Sequence, residues 1–144
     1  MRERPRILGI DPGARRVGLA VSDPLGITAQ GLETFDRRRD GDLFARLAEL
    51  IAGYEVAEVV VGHPLSLSGR PGAAAQAAAA LAREIERRLG VRVVLWDERL
   101  STAEAERTLA GTRARKGAAD RVAAVIILQG YLDRQRASGG AEEA

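Results

Sequence analysis

The chain has 144 residues, 46% of them hydrophobic and 29% charged, which suits one domain with a real core and excludes a disordered or fibrous chain. It has no cysteine, so a disulfide scaffold, a thiolate metal site and a cysteine nucleophile are excluded together. The formal net charge is only +2, yet the isoelectric point is about 9.6, and all the lysine and arginine side chains except Lys116 are arginines, whose fixed charge and planar fork suit phosphate. Aromatic residues make up 3%, too few for a platform on which single-stranded bases stack, so any nucleic-acid contact is expected mainly at the backbone.

The first six residues hold no apolar core, and no apolar stretch approaches the roughly 20 residues needed to span a bilayer. A cytoplasmic protein without membrane contact is expected. Residues 7–10 form a short apolar run ending on Asp11, the pattern of a buried strand that leaves a carboxylate at the sheet rim. Pro12 and Gly13 predict a tight turn in which Gly13 lets a ligand come close to the backbone, and Arg15 and Arg16 add positive charge beside the acid. Residues 17–21 are a second strand. A turn at Asp23-Pro24-Leu25-Gly26 and a third strand over residues 27–35 complete an antiparallel meander. The arginine-rich stretch 36–42 is read as a loop.

Leu43, Leu47, Leu50 and Ile51 recur at helical spacing, predicting a helix over residues 42–53 closed by Gly53. Residues 56–61 are a β-branched strand ending in Gly62-His63-Pro64. A Ser-, Gly- and Pro-rich loop follows, then an alanine-rich helix from Ala73 to Leu89 capped by Gly90. Residues 91–96 give a further strand ending in Asp97-Glu98-Arg99. Ser101-Thr102-Ala103-Glu104 is a capping box that starts a helix running to about Ala110. A basic, small-residue segment leads to Lys116. The final helix runs from Ala118 to about Arg136, with Val122, Val125, Ile126 and Leu132 as its buried stripe and Gln129 as a packing or hydrogen-bonding residue. Residues 1–136 are thus one domain and residues 137–144 a frayed tail. This order predicts an α/β fold, a mixed five-stranded sheet with helices on both faces.

Strand ends bring acids to one edge. Asp11 follows the first strand, Asp97 and Glu98 follow the last, and Asp120 lies in the first turn of the final helix. If the first and last long strands are parallel, Asp11 and Glu98 leave the sheet on the edge where α/β sheets place their ligands. Clustered carboxylates raise one another's pKa unless a cation sits among them, and hard oxygen donors select Mg²⁺ or Mn²⁺. Two such ions can hold a phosphodiester and activate water. Taken singly, each acid has an ordinary cap, turn or surface role, and Asp120 would be favoured by the helix dipole in any case.

The segments D-P-G-A-R-R-V-G-L-A, V-G-H-P, D-E-R-L-S-T and R-K-G-A-A-D-R-V-A-A-V-I-I-L-Q-G-Y-L, in that order, resemble the YqgF/RuvX family of RNase H-like proteins. The match spans residues 7–132. The resemblance implies an RNase H-like fold, metal-dependent phosphodiester cleavage with Mg²⁺ or Mn²⁺, and a cytoplasmic role in maturing the 5′ end of 16S rRNA. Carried over by position, it makes Asp11, Glu98 and Asp120 the catalytic and metal-binding acids, with Glu98 rather than Asp97 reaching inward. Arg15, Arg16, Arg99 and Lys116 are the candidate nucleic-acid contacts. His63 stands where the family usually has an apolar residue; it is read as a hydrogen-bonded loop residue, with water-orienting base or phosphate donor as the alternative. The partner is a nucleic acid, either an RNA precursor or branched DNA, bound by a monomer or homodimer.

Three other readings compete. A Holliday-junction resolvase would share the metal site and act on DNA as a dimer. An ATP-binding fold of the actin and sugar-kinase type also uses D-x-G after a strand, but it needs a second phosphate loop that has no convincing place here. A non-catalytic nucleic-acid-binding module in transcription would have no need of all three acids.

Overall fold

The computed structural model describes residues 3–65, 68–100 and 118–143, and within the last segment the side chains of residues 121–138. Elements run in the order β1 (Arg6–Asp11), β2 (Arg16–Ser22), β3 (Ala29–Asp36), α1 (Leu43–Tyr54), β4 (Val56–His63), α2 (Ala73–Leu89), β5 (Arg92–Asp97), a single 3₁₀ turn (Glu98–Leu100) and α3 (Ala118–Glu143). The capping-box helix predicted from Ser101, and the basic segment with Lys116, lie outside the described residues.

The five strands form one mixed sheet in the order β3-β2-β1-β4-β5. β1, β2 and β3 pair antiparallel, the expected meander, whereas β1, β4 and β5 run parallel. All three parallel strands therefore end at one rim. Alternation along β1 splits the interior into two layers: Leu8 and Ile10 pack with α1 and α2, while Ile7 joins α3 on the other face. Fully burying aliphatic side chains such as Leu8, Ile10, Leu19 and Ile85 contributes about 1.5–3 kcal/mol each.

α1 starts where Asp42 accepts the Phe44 amide, but it continues through Gly53 and closes at Glu55, which takes the left-handed conformation (φ 54°). Gly53 was expected to end it; instead the Glu55 N–H closes on the Ala52 and Ile51 carbonyls. β3 begins two residues later than predicted because the Asp23 carboxylate accepts the Ile27 and Thr28 amides and draws them into the turn. The bounds of α2 and its Gly90 cap (φ 65°) are those predicted.

α3 departs from expectation twice. Its buried stripe is Ala124, Ile127, Leu128 and Leu132, while Val122, Val125 and Ile126 are only half-buried. It also continues past Arg136 through residues 137–143, which were read as a frayed tail. No proline interrupts that stretch, and extending an existing helix is far cheaper than starting one. Among the described residues, no helix is long and apolar enough to cross a membrane.

Two glycines set how closely α3 sits on the sheet. A Cβ on Gly9 would lie 2.7 Å from Leu128 Cβ, and one on Gly62 would lie 2.5 Å from Ile127 Cδ1. Gln129 fastens the helix laterally: its Oε1 accepts the Ala29 amide at 2.9 Å and its Nε2 donates to the Ile27 carbonyl at 2.8 Å. Gly9 lies under Ala124 and Leu128, while Ile7 shares a cluster with Leu132, so α3 runs antiparallel to β1. Its first turn therefore lies toward the Asp11 end of the sheet.

Candidate active site

Register assembles the site. Ile10 pairs with Val61, which brings Asp11 level with Gly62, and Gly62 pairs with Trp96 of β5. Asp11 continues the Ile7 and Gly9 face, and Trp96 packs into the α3 layer, so both belong to the side of the sheet that α3 covers. Glu98 stands two residues beyond Trp96. Its carboxyl lies over Gly62, where an added Cβ would come within 2.7 Å of Oε1, and it hydrogen-bonds the Asp11 side chain. Side chains 87 positions apart in sequence thus meet at the strand ends over a residue that has none.

Two carboxyls in hydrogen-bond contact must share a proton or a cation, since two bare carboxylates repel. Burial is the main influence that pushes the Glu98 carboxyl above its usual range, and the Asp97 charge adds to it. The hydrogen bond to Asp11 and the charge of His63 partly offset this rise. Asp97 faces a different environment. Its carboxylate accepts Arg99 Nε at 3.0 Å, Arg99 Nη2 at 2.7 Å and the Arg99 amide at 2.9 Å, and the Arg99 guanidinium holds its carboxyl below the usual range. The acid that joins Asp11 is therefore Glu98, and its neighbour is occupied by an arginine.

The backbone of Asp120 falls in the first turn of α3, four residues before Ala124, whose carbonyl oxygen comes within 3.3 Å of a Cβ on Gly9. Its side chain lies outside the described set, and among the described residues no group of three or more potential metal ligands forms. The predicted cations divide. Arg15 Nε approaches the Asp36 carboxylate at 3.4 Å, and Arg99 is engaged by Asp97. Arg16 makes no side-chain ion pair with a described residue, and Lys116 lies outside the described residues. His63 closes β4 directly beside Asp97. Gly13 is needed by its own turn: a Cβ there would lie 2.0 Å from the Arg16 carbonyl oxygen, whether or not a ligand approaches. Sequence reading missed Asp36, a carboxylate only 5% exposed, whose signal was its place between a β-strand and three consecutive arginines.

A family model described as RuvX, Holliday junction resolvase, matches residues 5–134. The chain belongs to the RuvX family. A RuvX relative from Listeria monocytogenes serotype 4b is 48% identical over 134 residues, covering 89% of this chain and 97% of that protein; it carries the provisional name pre-16S rRNA nuclease. A protein of the same name from Lachnospira eligens is 45% identical over 138 residues, covering 91% of this chain and 99% of its own. Among solved structures, Thermus thermophilus RuvC in complex with a Holliday junction substrate superposes with a TM-score of 0.62 at 18% identity, covering 94% of this chain and 98% of that one. A second T. thermophilus RuvC structure gives 0.58 at 19% identity. The RuvX chain thus has the RNase H-like architecture expected of it.

Proposed function

We propose that this RuvX protein is a nuclease that hydrolyses phosphodiester bonds at the rim formed by Asp11 and Glu98, with Asp120 as the third acid. The observation that carries the reading is the Asp11–Glu98 hydrogen bond, made by two strand ends over Gly62 on the side that α3 covers. A fold does not otherwise gain from driving two half-buried acids together. The Asp11 and Glu98 carboxyls are close-spaced oxygen donors, which fits a hard divalent ion, Mg²⁺ or Mn²⁺, that these two acids would hold together with Asp120. When bound, such ions supply charge neutralisation at the phosphate and acidification of the attacking water.

The protein's own residues do the rest. Asp11, fixed at the end of a central strand, holds a carboxyl between the two flanking elements, and Gly62 leaves the space that Glu98 needs to reach it. The Asp97–Arg99 pair keeps the adjacent acid away from that contact. Arg16 supplies positive charge on the neighbouring strand, where a phosphate backbone would pass.

The relatives' name supports the precursor of 16S rRNA as substrate, and the family resemblance adds a cut at its 5′ end in the cytoplasm. The description of the RuvX model favours a second reading, cleavage of a four-way DNA junction. One experiment tests both. Wild type and Asp11→Asn are incubated with Mg²⁺ or Mn²⁺ on precursor rRNA and on a four-way junction. The variant is expected to lose cleavage by a factor of roughly 10² or more, as when an acting group is removed from a preorganised site. Undiminished cleavage by Asp11→Asn would overturn the assignment, and symmetric cutting of the junction with intact precursor RNA would select the second substrate.

A further inference from the structure

We propose that the turn after β3 is a phosphate clamp, in which Arg37 and Arg38, together with Arg16, hold the nucleic-acid backbone to one side of the bond being cut; this rests on the reading that the substrate is a nucleic acid. The turn occupies the right place. β2 starts at Arg16, β3 ends opposite it at Asp36, and the Arg37 amide donates to the Arg15 carbonyl at 2.8 Å, which joins the two loops. Both loops therefore stand on the rim that carries Asp11.

Register sets the separation. Asp11 pairs with Gly18, and Gly18 with Thr34, so the Arg16–Asp36 pair lies two residues farther out along the strands. That is about 7 Å beyond the acid, with β3 displaced sideways by about 10 Å. A gap of roughly 12 Å is several charges of a duplex, which carries one phosphate per strand for about every 3.4 Å of helix axis. The clamp thus contacts phosphates flanking the cleaved bond and leaves the bond itself to the acids.

The turn is built to stay in shape. Asp36 carries a charge yet is almost wholly buried, and it accepts from the Arg38 amide at 2.9 Å and from Arg15 Nε. Its own amide donates to Asp40 Oδ2 at 2.9 Å, and its carbonyl accepts from the Arg39 and Asp40 amides. Arg15 and Arg39 are paired with acids. Arg37 and Arg38 are exposed, and their guanidiniums make no ion pair or hydrogen bond with a described residue. A buried carboxylate therefore organises a surface turn that presents two uncommitted cations, and such preorganisation lowers the ordering cost of binding. A merely solvated loop requires no such frame.

The test uses Asp11→Asn protein, so that binding is read without cleavage, with labelled precursor rRNA and a labelled four-way junction as probes. Affinity is measured by anisotropy over a series of salt concentrations. Adding Arg37→Ala/Arg38→Ala should make the plot of log K against log salt shallower by about 1.4–1.8, and should weaken binding roughly 25- to 60-fold at 0.1 M salt. Arg87→Ala/Arg134→Ala removes the same charge from α2 and α3 and serves as comparator; Arg37→Lys/Arg38→Lys should restore the slope. Should the alanine pair leave the slope unchanged, or lower it no more than the comparator does, the clamp is refuted. An unchanged slope alongside cleavage that depends on Asp11 removes the clamp alone. A lowered slope in a protein that cleaves nothing removes the nuclease reading and keeps the clamp.

Discussion

Gly62 and Gly9 lie under the same helix, yet substituting them should damage different properties. In Gly62→Ala the new methyl would meet Ile127 Cδ1 at 2.5 Å and Glu98 Oε1 at 2.7 Å, both free ends of flexible side chains. Ile127 can rotate, and overpacking of this kind costs at the low end of about 1–3 kcal/mol, offset by about 0.5–1 kcal/mol because alanine loses less chain entropy. The net loss is at most about 0.5 kcal/mol, or no more than about 2 °C in Tm for a chain of this size. Glu98 cannot yield without leaving Asp11, and a displacement near 1 Å in a catalytic group costs about 10²-fold in rate. In Gly9→Ala the methyl meets Leu128 Cβ at 2.7 Å and the Ala124 carbonyl at 3.3 Å, neither of which can rotate away. The helix must shift, at a net cost of about 2 kcal/mol, or about 6–8 °C. Thermal melts and cleavage assays on both variants decide the matter. The reasoning fails if Gly62→Ala cuts at the wild-type rate, or if Gly62→Ala melts lower than Gly9→Ala.

Three further outcomes follow from the same geometry. Mn²⁺ at about a hundred times its dissociation constant should stabilise the wild type by about 2.7 kcal/mol, raising Tm by roughly 10 °C. Asp11→Asn and Glu98→Gln should lose most of that rise in calorimetry. The Asp36 carboxyl is held low, first by the Arg38 amide and also by Arg15, so its contribution is present above the unfolded carboxylate range near pH 4 and is lost as pH falls through the folded value. The stability gap between wild type and Asp36→Asn, read from urea midpoints, should therefore narrow between pH 5 and pH 3. Tyr131 donates to Glu58 at 2.6 Å, and burial pushes its hydroxyl up to about 12. Its share of stability should be complete below pH 10 and decline above it, and ultraviolet difference titration against Tyr131→Phe should place the missing ionisation near pH 12.

Much of the fold was legible because most strands are short apolar runs cut off by glycine, proline or acid, and because Gly90 and Asp42 are strong stops and starts. The acid pair was legible for the same reason: strands that end on carboxylates must place them at a rim, and the reach of Glu98 favoured it over Asp97. What escaped depends on tertiary partners. Residues 122–128 are apolar nearly all round, so the buried stripe of α3 was set by where Gly9 and Gly62 admit it, not by its own pattern. Arg15 and Arg99 read as free cations until Asp36 and Asp97 stood beside them. The late start of β3 hung on one carboxylate, Asp23, which takes two amides that a strand would otherwise use.

The order of synthesis has a consequence for the site. β1, β2 and β3 pair with near neighbours in the chain, so the meander can form from local contacts while the polypeptide is still growing. Glu98 arrives only after two crossovers have laid β4 and β5 beside β1. A nascent chain that has made the meander therefore exposes a lone aspartate with no second acid, and it is harmless to the RNA around it. On the proposed reading, cutting ability waits for β5 to dock and then for α3, which carries Asp120, and folding itself serves as the safety catch.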